Sequence, residues 1–171
     1  YGNTGSAFAR VLSGLQCRVI AYDKYREGFS DEFVSEATMD EVFSEADILS
    51  LHVPLTNETT FMITEDYLQR FSRPLWLVNT SRGKVVDTES LLRCMDSGKV
   101  RGVALDVLEF ENLSFESLEH DNLPDAYRKL VARDDVILTP HIAGWTHESK
   151  IKLAEVVVEK ILSAFSPPVK K

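Results

Sequence analysis

Arg82, His141 and a scatter of carboxylates are the side chains in this sequence whose types and spacing could do chemistry together. A guanidinium can hold a carboxylate in a planar, two-bonded grip while polarising an adjacent carbonyl. Arg82 stands in Asn79-Thr80-Ser81-Arg82-Gly83, directly after an apolar run, where a solvated loop arginine is the plainer alternative. Imidazole exchanges protons near neutral pH, best when a carboxylate orients one ring nitrogen and stabilises the imidazolium. His141 stands in Thr-Pro-His-Ile-Ala-Gly-Trp, and the acids that could serve it are Glu109 and Glu111, between which spacing does not choose. A structural histidine is the alternative there, and His52 occupies a similar place after its own apolar run.

Gly2-Asn3-Thr4-Gly5 opens a helical pattern. With one glycine before Tyr1 it would be the G-x-G-x-x-G turn that lets a pyrophosphate approach a helix N-terminus; otherwise it is a plain turn. Asp23 lies 18 residues after Gly5 at the end of an apolar run. An acid there accepts hydrogen bonds from a ribose and repels a 2′-phosphate, favouring NAD over NADP, although Lys24 and Arg26 oppose the repulsion. The alternative is a strand-end turn acid. No His/Cys cluster has metal-ligand spacing, so no metal is expected, and there is no nucleophile elbow or P-loop.

These residues need elements to hold them. Ala7, Phe8, Val11, Leu12 and Leu15 fall at helical spacing over 3–15. Residues 17–23 form a β-branched and aromatic run that predicts a buried strand, whereas 24–37 are polar and irregular. Thr38 with Glu41 three residues on is a capping-box signature for a short helix. Further strands are expected in DILSLHVPL, PLWLVNTS, VRGVALDVL and DVILTPH. Helices are expected from Thr64 to Phe71, over TESLLRCMDSG and through Tyr127 and Leu130. An acidic loop over 109–123 includes Glu116, Glu119 and Asp121 as a solvated face. The last helix, Glu148 to Phe165, carries Ile151, Ala154, Val157, Val158, Ile161, Leu162 and Phe165 on one face, and Pro167 and Pro168 end it. Apolar strands separated by helices predict a doubly wound parallel sheet covered on both faces. In such sheets function collects at the carboxyl ends of strands, where Asp23, Pro54, Ser81 with Arg82, Asp106 and His141 all fall.

Composition narrows the function class. The 171 residues are 44% hydrophobic and 27% charged, as in a folded globular chain. A net charge of −8 argues against a nucleic-acid or anionic-membrane partner. No apolar run approaches the roughly 20 residues that span a bilayer. Cys17 and Cys94 are too few for a disulfide framework, which suggests reduced thiols and a cytoplasmic protein. The sequence begins in mid-motif at Tyr1, as a fragment or processed product would.

Taken together, YGNTG, VIAYD, LSLHVPLTNETT, LVNTSRGKVVD, GVALDVLEFE and TPHIAGWT resemble, in order and spacing, the NAD-binding domain of the D-isomer-specific 2-hydroxyacid dehydrogenases. The resemblance implies an α/β Rossmann domain over 1–147, its first, central strand and most of the substrate domain absent, and a helix over 148–171 that returns to that other domain. It implies that Arg82 binds the substrate carboxylate and carbonyl, that His141 is the acid in reduction and the base in oxidation, and that Glu111 pairs with His141. NAD would meet Gly2, Asn3, Thr4 and Gly5 at its pyrophosphate, Asp23 at its ribose, and Asp106, Thr80, Ser81, Ala143 and Gly144 at its nicotinamide end. Pro54, Arg82 and His141 complete that cofactor set. The substrate would be a small 2-hydroxy or 2-keto acid. Within the family the pattern looks most like bacterial 3-phosphoglycerate dehydrogenases, and a homodimer is implied. The alternatives are a non-catalytic NAD(H)-sensing module and an inactive fragment; the 171 residues alone are expected to be inactive and poorly stable.

Overall fold

The computed structural model describes residues 1–111 and 124–165. The expected loop acids Glu116, Glu119 and Asp121, and the terminal Pro167 and Pro168, lie outside the described residues. Two compact units divide the chain, Tyr1–Pro140 and His141–Lys171.

The first unit is built on parallel strands throughout. Strands β3 (Ile48–Leu51), β4 (Leu75–Asn79), β5 (Val100–Leu105) and β6 (Val136–Leu138) pair in that order. A separate two-stranded sheet joins β1 (Ile20–Ala21) to β2 (Ser35–Glu36). Strand β2 was not expected from sequence. Both of its residues are exposed, so no apolar alternation marks it, and its pairing leans on the buried Val34 and Phe29 beside it.

Helices α1 (Asn3–Leu12), α2 (Met39–Glu45), α3 (Glu65–Gln69), α4 (Thr88–Asp96) and α5 (Asp125–Val131) fall where the periodicity places them. Thr38 caps α2 as its spacing predicts: the Glu41 N–H donates to Thr38 Oγ1, and the Thr38 N–H donates to the Glu41 carboxylate at 2.7 Å. Thr64 and Asp87 cap α3 and α4 by one bond each, accepting from the Tyr67 and Ser90 N–H. Each cap satisfies amide hydrogens that a helix start otherwise leaves unbonded.

The core lies on one side of the four-stranded sheet. Leu51, Leu75, Leu77, Val103 and Leu105 face Leu68, Leu91, Met95 and Leu130 from α3, α4 and α5. The opposite face departs from the expected two-sided burial. Ile48, Trp76 and Ile137 share it by register and are 63%, 47% and 67% exposed. Helix α1 also departs from expectation: its buried residues are Gly5 and Ala9, whereas Val11 and Leu15, the expected inner face, are exposed. The side of α1 that packs is lined by its smallest residues, which an apolar-periodicity count overlooks.

The second unit consists of a short irregular lead and helix α6 (His147–Phe165), whose expected apolar residues are exposed along its length. No described helix is long and apolar enough to cross a membrane. Cys17 is exposed and Cys94 buried, both as thiols.

Candidate active site and cofactor cradle

The segment after β4 is shaped by one side chain. Asn79 ends the strand fully buried, and its amide turns back on the chain. Its Nδ2–H donates to the Arg82 carbonyl at 3.1 Å, while Oδ1 accepts from the Ser81 N–H at 3.0 Å and the Ser81 hydroxyl at 2.8 Å. Three bonds from a buried amide fix the path of Thr80, Ser81 and Arg82. The Asn79 carbonyl meanwhile accepts from the Asp106 N–H at 3.0 Å, tying this turn to the end of β5.

Gly83 completes the frame. A Cβ on it would stand 1.9 Å from the Leu108 carbonyl oxygen, so the two loops approach closely enough that only glycine fits. Arg82, extended and exposed between these constraints, donates from Nη1 to the Ser81 carbonyl at 2.7 Å. Asp106 is buried and accepts from the Thr139 hydroxyl at 2.5 Å, which links the ends of β5 and β6.

The two acids left open by spacing now differ. Glu109 accepts from the Thr88 N–H at 3.0 Å, at the start of α4. Glu111 turns onto its own loop and accepts from the Leu108 N–H at 2.9 Å. Glu109 therefore has a structural task that its sequence position does not reveal.

A second group gathers around the first helix. Gly2 is extended and α1 begins at Asn3, with no acid in its first turn, unlike α2, α3, α4, α5 and α6. Gly5 is buried against the His52 ring, a Cβ there reaching ordinary contact at 3.4 Å, and Phe8 lies 5.5 Å from the same ring. His52 Nε2 and Ser50 Oγ are 3.0 Å apart. Burial holds the His52 imidazole below its usual pKa, favouring the neutral form, and the amino-terminal charge adds to this. Asp23, beyond β1, pairs with the Tyr1 ammonium and accepts from the Tyr25 N–H at 2.9 Å. These bonds hold its carboxyl below the usual range, the amino terminus first and the Tyr25 amide next. Pro54 is exposed in the turn after β3, its carbonyl accepting from the Thr59 hydroxyl at 2.6 Å.

An acid-free helix start, a buried glycine beneath it and a strand-end carboxylate fit a dinucleotide's pyrophosphate and ribose. His141, Ala143 and Gly144 belong to the second unit. His141 is half-buried with its backbone in the left-handed region, φ 54°, a conformation that a histidine adopts less readily than glycine. Ala143 and Gly144 are exposed, and the Gly144 carbonyl accepts from the Ser149 hydroxyl at 2.5 Å. Among the described residues no group of His, Cys, Asp and Glu could hold a metal ion.

The sequence model of the D-isomer specific 2-hydroxyacid dehydrogenase NAD binding domain matches residues 1–143. The chain belongs to this family. A glyoxylate reductase of Korarchaeum cryptofilum is 39% identical over 164 residues, covering 95% of this chain and 46% of that protein. A D-lactate dehydrogenase of Treponema pallidum is 36% identical over 148 residues, covering 85% and 44%. Among solved structures, the NAD-complexed D-isomer specific 2-hydroxyacid dehydrogenase of Lactobacillus delbrueckii ssp. bulgaricus superposes with a TM-score of 0.85 at 33% identity, covering 95% of this chain and 50% of that one. The chain thus spans about half the length of the relatives it matches. Its parallel sheet with connecting helices is the Rossmann-like fold of this NAD-binding domain, and NAD is the cofactor that the domain takes.

Sequence reasoning assigned roles to Ser81, Arg82 and Asp106 but none to Asn79, Gly83 or Thr139, which position them. The available signal was an amide ending an apolar strand, a place where burial forces every polar atom to find a partner.

Proposed function

We propose that this chain is the cofactor half of an NAD-dependent oxidoreductase interconverting a D-2-hydroxy acid and its 2-keto acid. The observation that carries this is the Asn79 frame, which fixes the turn bearing Ser81 and Arg82 after β4 and ties it, through the Asn79 carbonyl and the Asp106 N–H, to the end of β5 in an NAD-binding domain. NADH, when bound, supplies the hydride that reaches the carbonyl carbon.

The rest falls to the chain's own residues. Gly2, Asn3, Thr4 and Gly5 offer unbonded amide hydrogens to the pyrophosphate, and Asp23 accepts from the ribose. The family resemblance assigns Thr80, Ser81, Asp106, Ala143 and Gly144 to the nicotinamide end and adds Pro54 to the cofactor set. Arg82 grips the substrate carboxylate and polarises the neighbouring carbonyl. His141 donates a proton to the carbonyl oxygen in reduction and accepts it in oxidation, oriented by Glu111. The choice of Glu111 over Glu109 follows the family resemblance, since both carboxylates already accept a backbone N–H, from Leu108 and Thr88 respectively.

Glyoxylate and pyruvate are the keto acids that the similar glyoxylate reductase and D-lactate dehydrogenase suggest. The 3-phosphoglycerate assignment rests on the sequence pattern alone and is the finer alternative. A cytoplasmic homodimer, with α6 returning to a substrate domain, accords with the family resemblance.

NADH consumption by the complete enzyme, with its substrate domain, on glyoxylate, pyruvate and 3-phosphohydroxypyruvate tests the proposal. Turnover is expected with at least one. Arg82→Ala is expected to raise KM for the acid, and His141→Ala to lower kcat about 100- to 10,000-fold while NADH still binds. Saturable NADH binding with no turnover across the panel would instead favour a nucleotide-sensing module.

A further inference from the structure

Asp23 is followed by two cations that could welcome the phosphate it should repel, and the structure shows both already engaged. Arg26 Nη1 donates to the Tyr1 carbonyl at 2.5 Å. Lys24 Nζ donates to Glu58 Oε2 at 2.7 Å, and the Tyr25 hydroxyl donates to the same oxygen at 2.6 Å. Glu58 belongs to the turn that follows β3, far along the chain from the ribose acid.

That turn is organised before any ligand arrives. The Thr56 N–H donates to Thr59 Oγ1 at 2.8 Å, the Thr60 N–H to the Thr56 carbonyl at 3.0 Å, and the Thr59 hydroxyl to the Pro54 carbonyl. Its far end is anchored by the Phe61 N–H on the Lys84 carbonyl at 2.7 Å, next to the Gly83 frame. Glu58 is therefore presented at a fixed place, and one of its oxygens receives two donors. The mutual bonds hold the Glu58 carboxyl below its usual pKa and raise those of Lys24 and Tyr25.

We propose that Glu58 is a specificity-determining residue: it pins Lys24 and Tyr25 so that neither is offered to the 2′-phosphate of NADP, and thereby reinforces Asp23 in selecting NAD. This rests on the NAD-binding role given to Asp23 above. Asp23 supplies the repulsion and Glu58 removes a compensating attraction. Freed, the Lys24 ammonium would gain a charge-assisted bond to the phosphate dianion. Lys24 and Glu58 are both more than half exposed, so the pin is a surface ion pair, and its effect is modest and weakened by salt.

The test is the ratio of NADPH to NADH affinity, read by fluorescence titration of the full chain at low and high salt. Glu58→Gln is expected to shift the ratio toward NADPH about three- to tenfold, less at high salt. Adding Lys24→Met to Glu58→Gln is expected to remove that gain. An unmoved ratio in Glu58→Gln overturns the pin. A gain that persists in the double variant overturns it too, because simple removal of a negative charge would then suffice. Absence of saturable NADH binding by the unsubstituted chain is a different result: it removes the NAD-binding role itself, and this inference with it.

Discussion

The ends of β4 and β5 and the end of β1 both carry candidate functional residues, yet they are built on opposite principles. At β4 and β5 the groups are buried and over-bonded: Asn79 makes three side-chain hydrogen bonds, Asp106 is tied to Thr139, and Gly83 has no room for a methyl group. Around the end of β1 a half-buried Asp23 is surrounded by exposed groups held by surface bonds: Lys24 and Tyr25 on Glu58, and Arg26 on the Tyr1 carbonyl. The first arrangement fixes geometry, because a buried polar group left unsatisfied is costly. The second sets a local field, because exposed pairs contribute little to stability. The proposed dehydrogenase activity needs both, a rigid grip on the reacting acid and a tunable choice of nucleotide.

The sharpest way to break this contrast is Gly83→Ala. Its methyl group would collide with the Leu108 carbonyl, so a loss of at least about 3 kcal/mol is expected in denaturant unfolding. Asn79→Ala should follow, costing about 2–4 kcal/mol by stranding two Ser81 donors and the Arg82 carbonyl. Asp23→Ala should behave differently. It is expected to cost less stability than Asn79→Ala, through loss of its bonds to Tyr1 and Tyr25, while relaxing NADH-over-NADPH preference about tenfold.

The smallest effect belongs to His52, which follows β3 and packs against Gly5 and Phe8 of α1. Burial depresses its folded-state pKa, so the unfolded chain binds this proton more readily. Its contribution is complete above the unfolded value and is lost as pH falls through the window below about 6.5. Between about pH 7.5 and 5.5, His52→Gln should therefore lose less thermal stability than the unsubstituted protein.

Much of this was legible in the sequence, for physical reasons that differ by element. The α2 capping box was visible because its two reciprocal bonds demand Thr38 and Glu41 at fixed spacing. Strands β3 to β6 were visible as β-rich apolar runs, and the candidate residues stood at their ends. Strand β2 was not, since two exposed residues carry no periodicity. Nor was the open sheet face legible: an apolar residue such as Trp76 or Ile137 reads as core whether or not anything covers it. The division of labour between Glu109 and Glu111 was hidden because it depends on where α4 begins in space. Asn79 was hidden for the same reason, its role being defined by partners rather than by its own type.

Titration of the chain with NADH, followed by competition with NADPH, decides whether the glycine turn and Asp23 hold and select NAD. Saturable binding of one NADH per chain is expected, stronger than that of NADPH, with the preference falling in Asp23→Ala. No saturable NADH binding, or a preference indifferent to Asp23, would contradict that assignment.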